Sequence, residues 1–469
     1  MPIVSINNDK YYARNGEKLS EILMKNGMYA QHPCGGKGIC KKCIVLVDGE
    51  EVLSCQYEIF KDISVALPKK GEIASESGAK ETGVLTDNIC FVLDIGTTTL
   101  ALALVSLDEK KIIKTVTRTN PQTAFGADVI SRIDYCNKNG VEGLNCVLIN
   151  AVNEMVEETG VAHKAEMFVA GNTVMLHLFF GIDPSSIGVA PYTPVFLEAR
   201  TEEGKVVGLK NITEVISLPC VDAFMGADLV AGINYVGMPS ENKYNLLVDL
   251  GTNAETVLYS AEGGVCTSSA AGPCFEGADI SQGMSATPGA IYSFRLNTEN
   301  GVESADIKTI DDALPEGICG TGLVDIIAEL LKSGIIDETG YMECEHYDIA
   351  EGVGINQNDV RQYQIAKSAV YSGINSLIKG VDIKFDDIEK MYISGGFSAK
   401  INIDNGIKTG LLPKGLKNKA VVVNNSSLLG AVKYALEKND LSRIINNIKY
   451  INLSSDPVFS KVFIENMDF

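Results

Sequence analysis

The 469-residue chain contains no tryptophan, and that absence excludes nothing by itself. Other absences say more. No run of about 18 apolar residues occurs, so no membrane-spanning helix is expected. No basic stretch followed by an apolar one stands at Met1. A secretory signal peptide is therefore not expected, and the expected compartment is the cytoplasm. Positive charge is scarce: 40 Lys and Arg stand against 60 Asp and Glu, a net charge of −20. That balance argues against nucleic acid and anionic membrane surfaces as partners. Apolar residues, at 45%, are plentiful enough for a sizeable core. The length allows about three domains.

Cysteine is not scarce either. Twelve cysteines without a signal peptide point to reduced thiols or metal ligands rather than a disulfide framework. Four of them gather in Pro33-Cys34-Gly35-Gly36-Lys37-Gly38-Ile39-Cys40-Lys41-Lys42-Cys43 and the later Cys55. Four thiolates suit a 2Fe–2S cluster, whose plant-type spacing is C-x4-C-x2-C with a distant fourth Cys. Here the first gap is one residue longer, which resembles the adrenodoxin-like branch of ferredoxins. The glycines let such a loop aim its N–H groups at cluster sulfurs. A four-Cys zinc site is the alternative, but zinc more often uses two C-x2-C knuckles and only one is present. A thioredoxin-like role for Cys40 and Cys43 would leave Cys34 and Cys55 idle. A hairpin of Ile3–Asn7 and Tyr11–Arg14, a helix from Leu19 stopped by Gly27, and strands Ile44–Val47 and Ile63–Leu67 complete a β-grasp order over residues 1–70. Lys37, Lys41 and Lys42 form a basic island, read first as a solvated loop and second as a guide for an acidic electron donor. Residues 71–87 are small and polar and read as a linker.

The remaining chain repeats itself. Asn88 to Leu100 is an apolar strand, then Asp94-Ile-Gly96-Thr97-Thr98-Thr99, then a second strand to Leu107. Tyr244 to Glu255 has the same form, with Asp249-Leu-Gly251-Thr252-Asn253 and a strand from Thr256 to Ser260. Glycine lets the backbone turn tightly beside an anion, and threonine hydroxyls and N–H groups suit phosphate oxygens. An Asp at a strand end suits Mg²⁺ held through water. Each half then carries a Gly-led helix, at Phe125-Gly126-Ala127-Asp128 and at Gly317 to Gly322 with Gly320 between. Each also carries a strand ending in a Gly turn, at Gly171-Asn172-Thr173 and Ser394-Gly395-Gly396-Phe397. Two matched α/β halves, 88–242 and 243–469, predict a cleft with phosphate loops facing each other.

This order of parts resembles the superfamily of acetate and sugar kinases, heat-shock protein 70 and actin. The resemblance implies a two-lobed ribonuclease H-like ATPase. Its two Asp-x-Gly loops clamp ATP phosphates and its late Gly-Gly turn holds adenosine. Carried onto this chain, Asp94 and Asp249 serve Mg²⁺ and water. Gly96, Thr97, Thr98, Thr99, Gly251, Thr252, Asn253 and Gly320 serve the phosphates, and Gly395 and Gly396 face adenosine.

Other residues have plainer readings. Gly-Ala-Asp recurs at 126–128, 226–228 and 277–279, and helix capping accounts for all three. His177 sits on an apolar helix and reads as a satisfied core histidine. Cys220, Cys266, Cys274 and Cys319 lack metal-ligand spacing and read as small buried hydrophobes. Ser454 to Phe469 reads as a capped helix with an apolar stripe of Val458, Phe459, Val462, Phe463 and Met467.

A 2Fe–2S carrier beside an ATP cleft implies that ATP serves to move an electron to an acceptor of much lower potential; each tenfold in equilibrium is about 59 mV for one electron. The whole chain resembles the reductive activators of corrinoid proteins, which return methyltransferase cobalt from Co(II) to Co(I). That resemblance implies a cluster on Cys34, Cys40, Cys43 and Cys55, a low-potential donor such as a ferredoxin or flavodoxin, a corrinoid-protein partner and, by family analogy, a homodimer. Longer members carry an extra domain where this chain has its linker. Two other readings stand beside this one: an ATP-driven electron donor for another acceptor enzyme, and a redox-gated nucleotide-binding regulator without turnover. A plain small-molecule kinase would give the cluster no task.

Overall fold

The computed structural model describes residues 1–6, 9–26, 28, 38, 43–67, 88–299, 302–396 and 398–469. Gly27, Cys34, Cys40, the three loop lysines, the linker and Phe397 lie outside the described residues.

The first sheet runs in the order Asp9–Tyr12, Ile3–Ile6, Ile63–Ala66, Ile44–Val47, Glu50–Leu53. Its first and last strands in the chain, Ile3–Ile6 and Ile63–Ala66, pair in parallel. The remaining pairs are antiparallel. This is the expected β-grasp arrangement. Helix Leu19–Lys25 buries Leu19, Ile22 and Leu23 in the same core as Val4, Ile6, Val45 and Val65. Strand alternation makes that possible, since every second residue of Ile44–Val47 and Ile63–Ala66 is buried. Each such aliphatic side chain contributes about 1.5–3 kcal/mol on burial.

Two six-stranded sheets follow, and they share one plan. In the first, Ile89–Ile95 is central and pairs antiparallel with Thr99–Ser106, which pairs antiparallel with Lys111–Thr119. On its other side lie Ala165–Gly171 and Ile212–Ser217, both parallel. In the second, Tyr244–Leu250 is central, with Asn253–Tyr259 and Gly264–Ala270 antiparallel on one side. Ile388–Ser394 and Ala420–Val422 are parallel on the other. The duplication seen in sequence is therefore a duplication of topology. Strand Ile89–Ile95 is buried at every position, because a strand at the centre of such a sheet is covered on both faces.

The strands begin earlier than expected. Thr99–Ser106 and Asn253–Tyr259 start at polar residues, because the ladder continues through Thr99 opposite Thr119 and through Asn253 opposite Ala270. Helices Val129–Asn139 and Gly320–Ser333 stand where the Gly-led helices were expected.

A further pair closes each half. Helix Ala227–Val236 follows the last strand of the first sheet, and helix Ser426–Glu437 follows strand Ala420–Val422 of the second. They pack directly on each other, so tightly that a side chain on Gly430 would start 1.7 Å from the Ala231 carbonyl oxygen. Asn234 binds the crossing: its side-chain amide donates to the Gly430 carbonyl at 3.0 Å, and its backbone carbonyl accepts from Lys433 at 2.9 Å. The terminal helix Pro457–Glu465 is capped by Asp456 and packs on helix Gln357–Gly380. Its Val462 is buried, while Ile464 is 74% exposed.

Candidate active site

Both Asp-x-Gly turns sit at the end of a central strand. In the first, Gly96 donates its N–H to the Thr99 carbonyl at 3.0 Å; in the second, Gly251 donates to the Asn253 carbonyl at 3.1 Å. The first turn is one residue longer. Gly96 is required there, because a Cβ would lie 2.6 Å from the Thr99 oxygen.

The threonines face different ways. The Thr97 hydroxyl accepts from the Asn172 amide at 3.2 Å, and its carbonyl accepts from Arg132. The Thr98 hydroxyl donates to Glu276 at 2.7 Å. From the other lobe, Thr252 gives Glu276 its N–H at 3.1 Å and its hydroxyl at 2.9 Å. Thr99 and Asn253 lie within the sheet ladder.

Asp94 is buried, and both of its oxygens are engaged by the start of helix Ser426–Glu437. Asn425 donates at 2.6 Å and Ser427 donates at 2.6 Å. Asn425 also caps that helix by accepting from the Leu428 N–H. The Ser426 N–H donates to the Ser394 hydroxyl at 3.1 Å. One helix end thus touches the first loop and the strand leading to Gly395. Across the second sheet Asp249 lies abreast of Glu255 on one side and Ser394 on the other.

Charge is concentrated here. Burial raises Asp94, although its hydrogen bonds from Ser427 and Asn425 oppose that. Burial, then the charge of Asp94, pushes Asp249 up to about 7. Burial, then the charges of Asp249 and Asp94, pushes Asp228 up to about 7. Glu255 lies well above the usual carboxylate range for the same reasons, burial first and then Asp228 and Asp249. These are hard oxygen donors, a set suited to Mg²⁺ held through water. Among the described residues no three His, Cys, Asp or Glu side chains converge as a direct metal cage.

Of the Gly-Ala-Asp triplets only Asp128 is a helix cap, accepting from Ser131 at 2.7 Å. Asp228 is the second residue of its helix and belongs to the carboxylate group, while Asp279 sits in a turn with φ of 59°. Arg132 is fully buried behind the first loop, bonded to the Gly126 and Thr97 carbonyls. Burial pushes it down to about 9, and the charges of Asp128 and Glu276 pull the other way.

The late glycines divide in role. A Cβ on Gly395 would lie 2.0 Å from the Leu250 carbonyl oxygen, whereas one on Gly396 would meet nothing within 4 Å. Gly320 is a packing glycine, with the Phe275 carbonyl oxygen 2.1 Å from its Cβ position. A polar cavity of about 370 Å³ opens between the hairpin strands Ala290–Glu299 and Val302–Thr309 and the helices Gly320–Ser333 and Ile403–Lys408. Arg295, Lys308, Asp325, Glu329 and Asn405 line it, and no residue of the Asp-x-Gly turns does.

In the N-terminal sheet, Asp48 and Gly49 have φ of 52° and 89°, the two-residue turn that matches strand twist. It pairs Val47 with Glu50 and Ile44 with Leu53. That register sets Cys43 opposite Ser54, whose N–H donates to the Cys43 carbonyl at 2.9 Å, and so places Cys55, one residue on, beside Cys43 with sulfurs 3.2 Å apart, both buried. The distance is far beyond a disulfide and suits two thiolates on one metal group. Burial, opposed by the Cys55 N–H, raises the Cys43 thiol, a shift that a bound metal would reverse. Cys34 and Cys40 lie outside the described residues.

The core readings hold. His177 is fully buried, with Nδ1 2.7 Å from the Thr173 carbonyl and Nε2 accepting the Val195 N–H at 3.1 Å. Cys220, Cys266, Cys274 and Cys319 are all buried.

Residues 89–241 match the family described as the RACo middle region, and residues 243–469 match the C-terminal domain of RACo, the ASKHA domain. The chain belongs to the RACo family. The join between the two matches falls between helix Ala227–Val236 and strand Tyr244–Leu250, where one sheet ends and the next begins. Among relatives of this RACo-family chain, the corrinoid activation enzyme RamQ of Eubacterium limosum is 28% identical, over 96% of this chain and 96% of its own. The Co(II) methylated amine-specific corrinoid protein reductase of Methanosarcina barkeri is 28% identical, over 76% of this chain and 72% of its own. A solved reductive activator for a corrinoid, iron-sulfur protein superposes with a TM-score of 0.75 at 27% identity, covering 100% of this chain and 98% of that one.

Proposed function

We infer that this protein is an ATP-dependent reductive activator of a corrinoid protein, returning the partner's cobalt from Co(II) to Co(I). The observation that carries the reading is the pairing, in one RACo-family chain, of two facing Asp-x-Gly loops with a hairpin that sets two buried thiols side by side. Residues 1–70 form the electron-carrier domain, 71–87 the linker, 88–242 the first ATPase lobe and 243–469 the second.

Cys34, Cys40, Cys43 and Cys55 would hold a 2Fe–2S cluster. When bound, that cluster supplies a one-electron relay from a low-potential donor, a ferredoxin or flavodoxin, towards Co(II). The chain's own part at that end is to bury the ligands in a fixed register. At the other end Thr98 and Thr252 offer donors to ATP phosphates, and Gly96 and Gly251 let them approach. Thr97 steadies the first loop through Asn172 and Arg132. Asp94 and Asp249 would hold Mg²⁺ through water, with Asp228 adding negative charge beside them. Gly396 opens towards adenosine and Gly395 seats the turn. Nucleotide can move the partner only through a difference in affinity between two states of the cleft. The helix end at Asn425 to Ser427, which touches both lobes, is the part of this chain suited to that. The protein acts in the cytoplasm, as a homodimer.

Iron and sulfide analysis of anaerobically purified protein tests the electron-carrier half. Two irons and two sulfides per chain, with an EPR signal on reduction, are expected, by the chemistry of such clusters. Cys43→Ala is expected to lose cluster and activation while retaining ATP binding. Stoichiometric zinc, or Co(II) reduction surviving in Cys43→Ala, would contradict the reading.

A further inference from the structure

The turn after the third strand is built twice. In the first half Asn120 donates its N–H to the Thr98 carbonyl at 2.7 Å, and the short turn Pro121–Ala124 follows. In the second, Gly272 donates to the Thr252 carbonyl at 2.9 Å, and Pro273–Glu276 follows. Both lead into Gly-Ala-Asp. Just before that triplet the first half has Phe125, packed edge-on against Tyr135 with ring centroids 5.0 Å apart. The second half has Glu276. The turn therefore does not need a carboxylate in order to form.

Glu276 spends its side chain across the cleft instead. It takes the Thr98 hydroxyl from one lobe, and the Thr252 N–H and hydroxyl from the other. One carboxylate ties both Asp-x-Gly loops together. The backbone beneath it is fixed. Cys274 and Phe275 are buried, Gly277 has φ of 78° with the Met284 carbonyl oxygen 2.3 Å from its Cβ position, and Gly320 packs on the Phe275 carbonyl. Movement is left to the side chain. A carboxylate and a phosphate cannot share three donors, and their like charges repel.

We propose that Glu276 is an internal anion that clasps the two phosphate loops until nucleotide phosphate takes its donors, and that its release couples ATP binding to movement of the lobes. This rests on the ATP-cleft reading. Glu276 is thus a positioning residue that lowers the affinity for polyphosphate, because the competent arrangement must first lose the clasp. The class of ligand that displaces it is a nucleoside di- or triphosphate, not a monophosphate.

Calorimetric titration of the full chain with a slowly hydrolysed ATP analogue and with AMP, both with Mg²⁺, tests this. Glu276→Ala is expected to bind the triphosphate at least tenfold more tightly and AMP unchanged. Glu276→Gln keeps the shape, removes the charge and is expected to shift the same way, so a poorly folded alanine variant does not blunt the test. Unchanged or weaker triphosphate binding in both variants, with the unmodified chain binding normally, would overturn the clasp and leave the ATP cleft standing. Failure of the unmodified chain to bind the triphosphate would remove the cleft reading and the clasp with it.

Discussion

Asp94 accepts hydrogen bonds on both oxygens from residues 331 and 333 positions later in the chain, Asn425 and Ser427, at the start of one helix. The place of the aspartate was legible, because an apolar strand runs up to it and Gly-Thr-Thr-Thr follows. Its partners were not. Asn-Ser-Ser before an apolar run reads as a helix cap, and Asn425 is indeed a cap. Nothing local says that the same cap reaches another lobe. Asp228 was hidden likewise inside a capping triplet, and Glu276 inside an irregular loop. Asp94→Ala should therefore reduce ATP hydrolysis and activation roughly a hundredfold, the upper range for losing support around a metal, while the cluster spectrum is unchanged. Unaltered ATPase in that variant would contradict the assignment.

The same residues predict a pH response. Asp249 and Asp228 are pushed up to about 7, from an unfolded value of about 4. The folded chain binds these protons more tightly than the unfolded one. Their contribution to stability is thus complete below about pH 4 and is lost as pH rises through about 7. Mg²⁺ reverses the sense, since it needs the deprotonated carboxylates. Magnesium–ATP affinity should rise between about pH 6 and 8, and Asp249→Asn should flatten that rise in a titration series. A flat profile in the unmodified protein would count against these groups meeting the metal.

At the scale of elements, the repeated strand-turn-strand was readable because two central strands are apolar throughout and each stops at one polar turn. The helices that cross between the lobes were not readable as a pair. Their closeness rests on Gly430 facing the Ala231 carbonyl, and an isolated glycine in a helix does not announce a neighbour. Gly430→Ala is expected to force the helices apart and cost about 1–3 kcal/mol, as overpacking does. Differential scanning should show a lower melting temperature, and triphosphate binding should weaken with it. The 11-residue gap before Cys55 had a local explanation in the Asp48-Gly49 turn, whose twist sets the register that joins it to Cys43.

Over the whole molecule, a small N-terminal domain and two like lobes were evident from the order of motifs, because each motif is local. How the lobes touch was not, because the contacts are single side chains far apart in sequence: Asp94 with Ser427, Thr98 with Glu276, Asn234 with Gly430. These contacts join the two lobes across the cleft. The alignment with RamQ spans 577 positions against 469 residues here, so that relative carries insertions which this chain does without. The most direct test of the account is anaerobic absorbance spectroscopy of a Co(II) corrinoid protein mixed with this protein and a low-potential reductant. The account predicts that Co(I) accumulates only when magnesium–ATP and the intact chain are both present. Equal Co(I) formation without ATP, or none with it, would contradict the account.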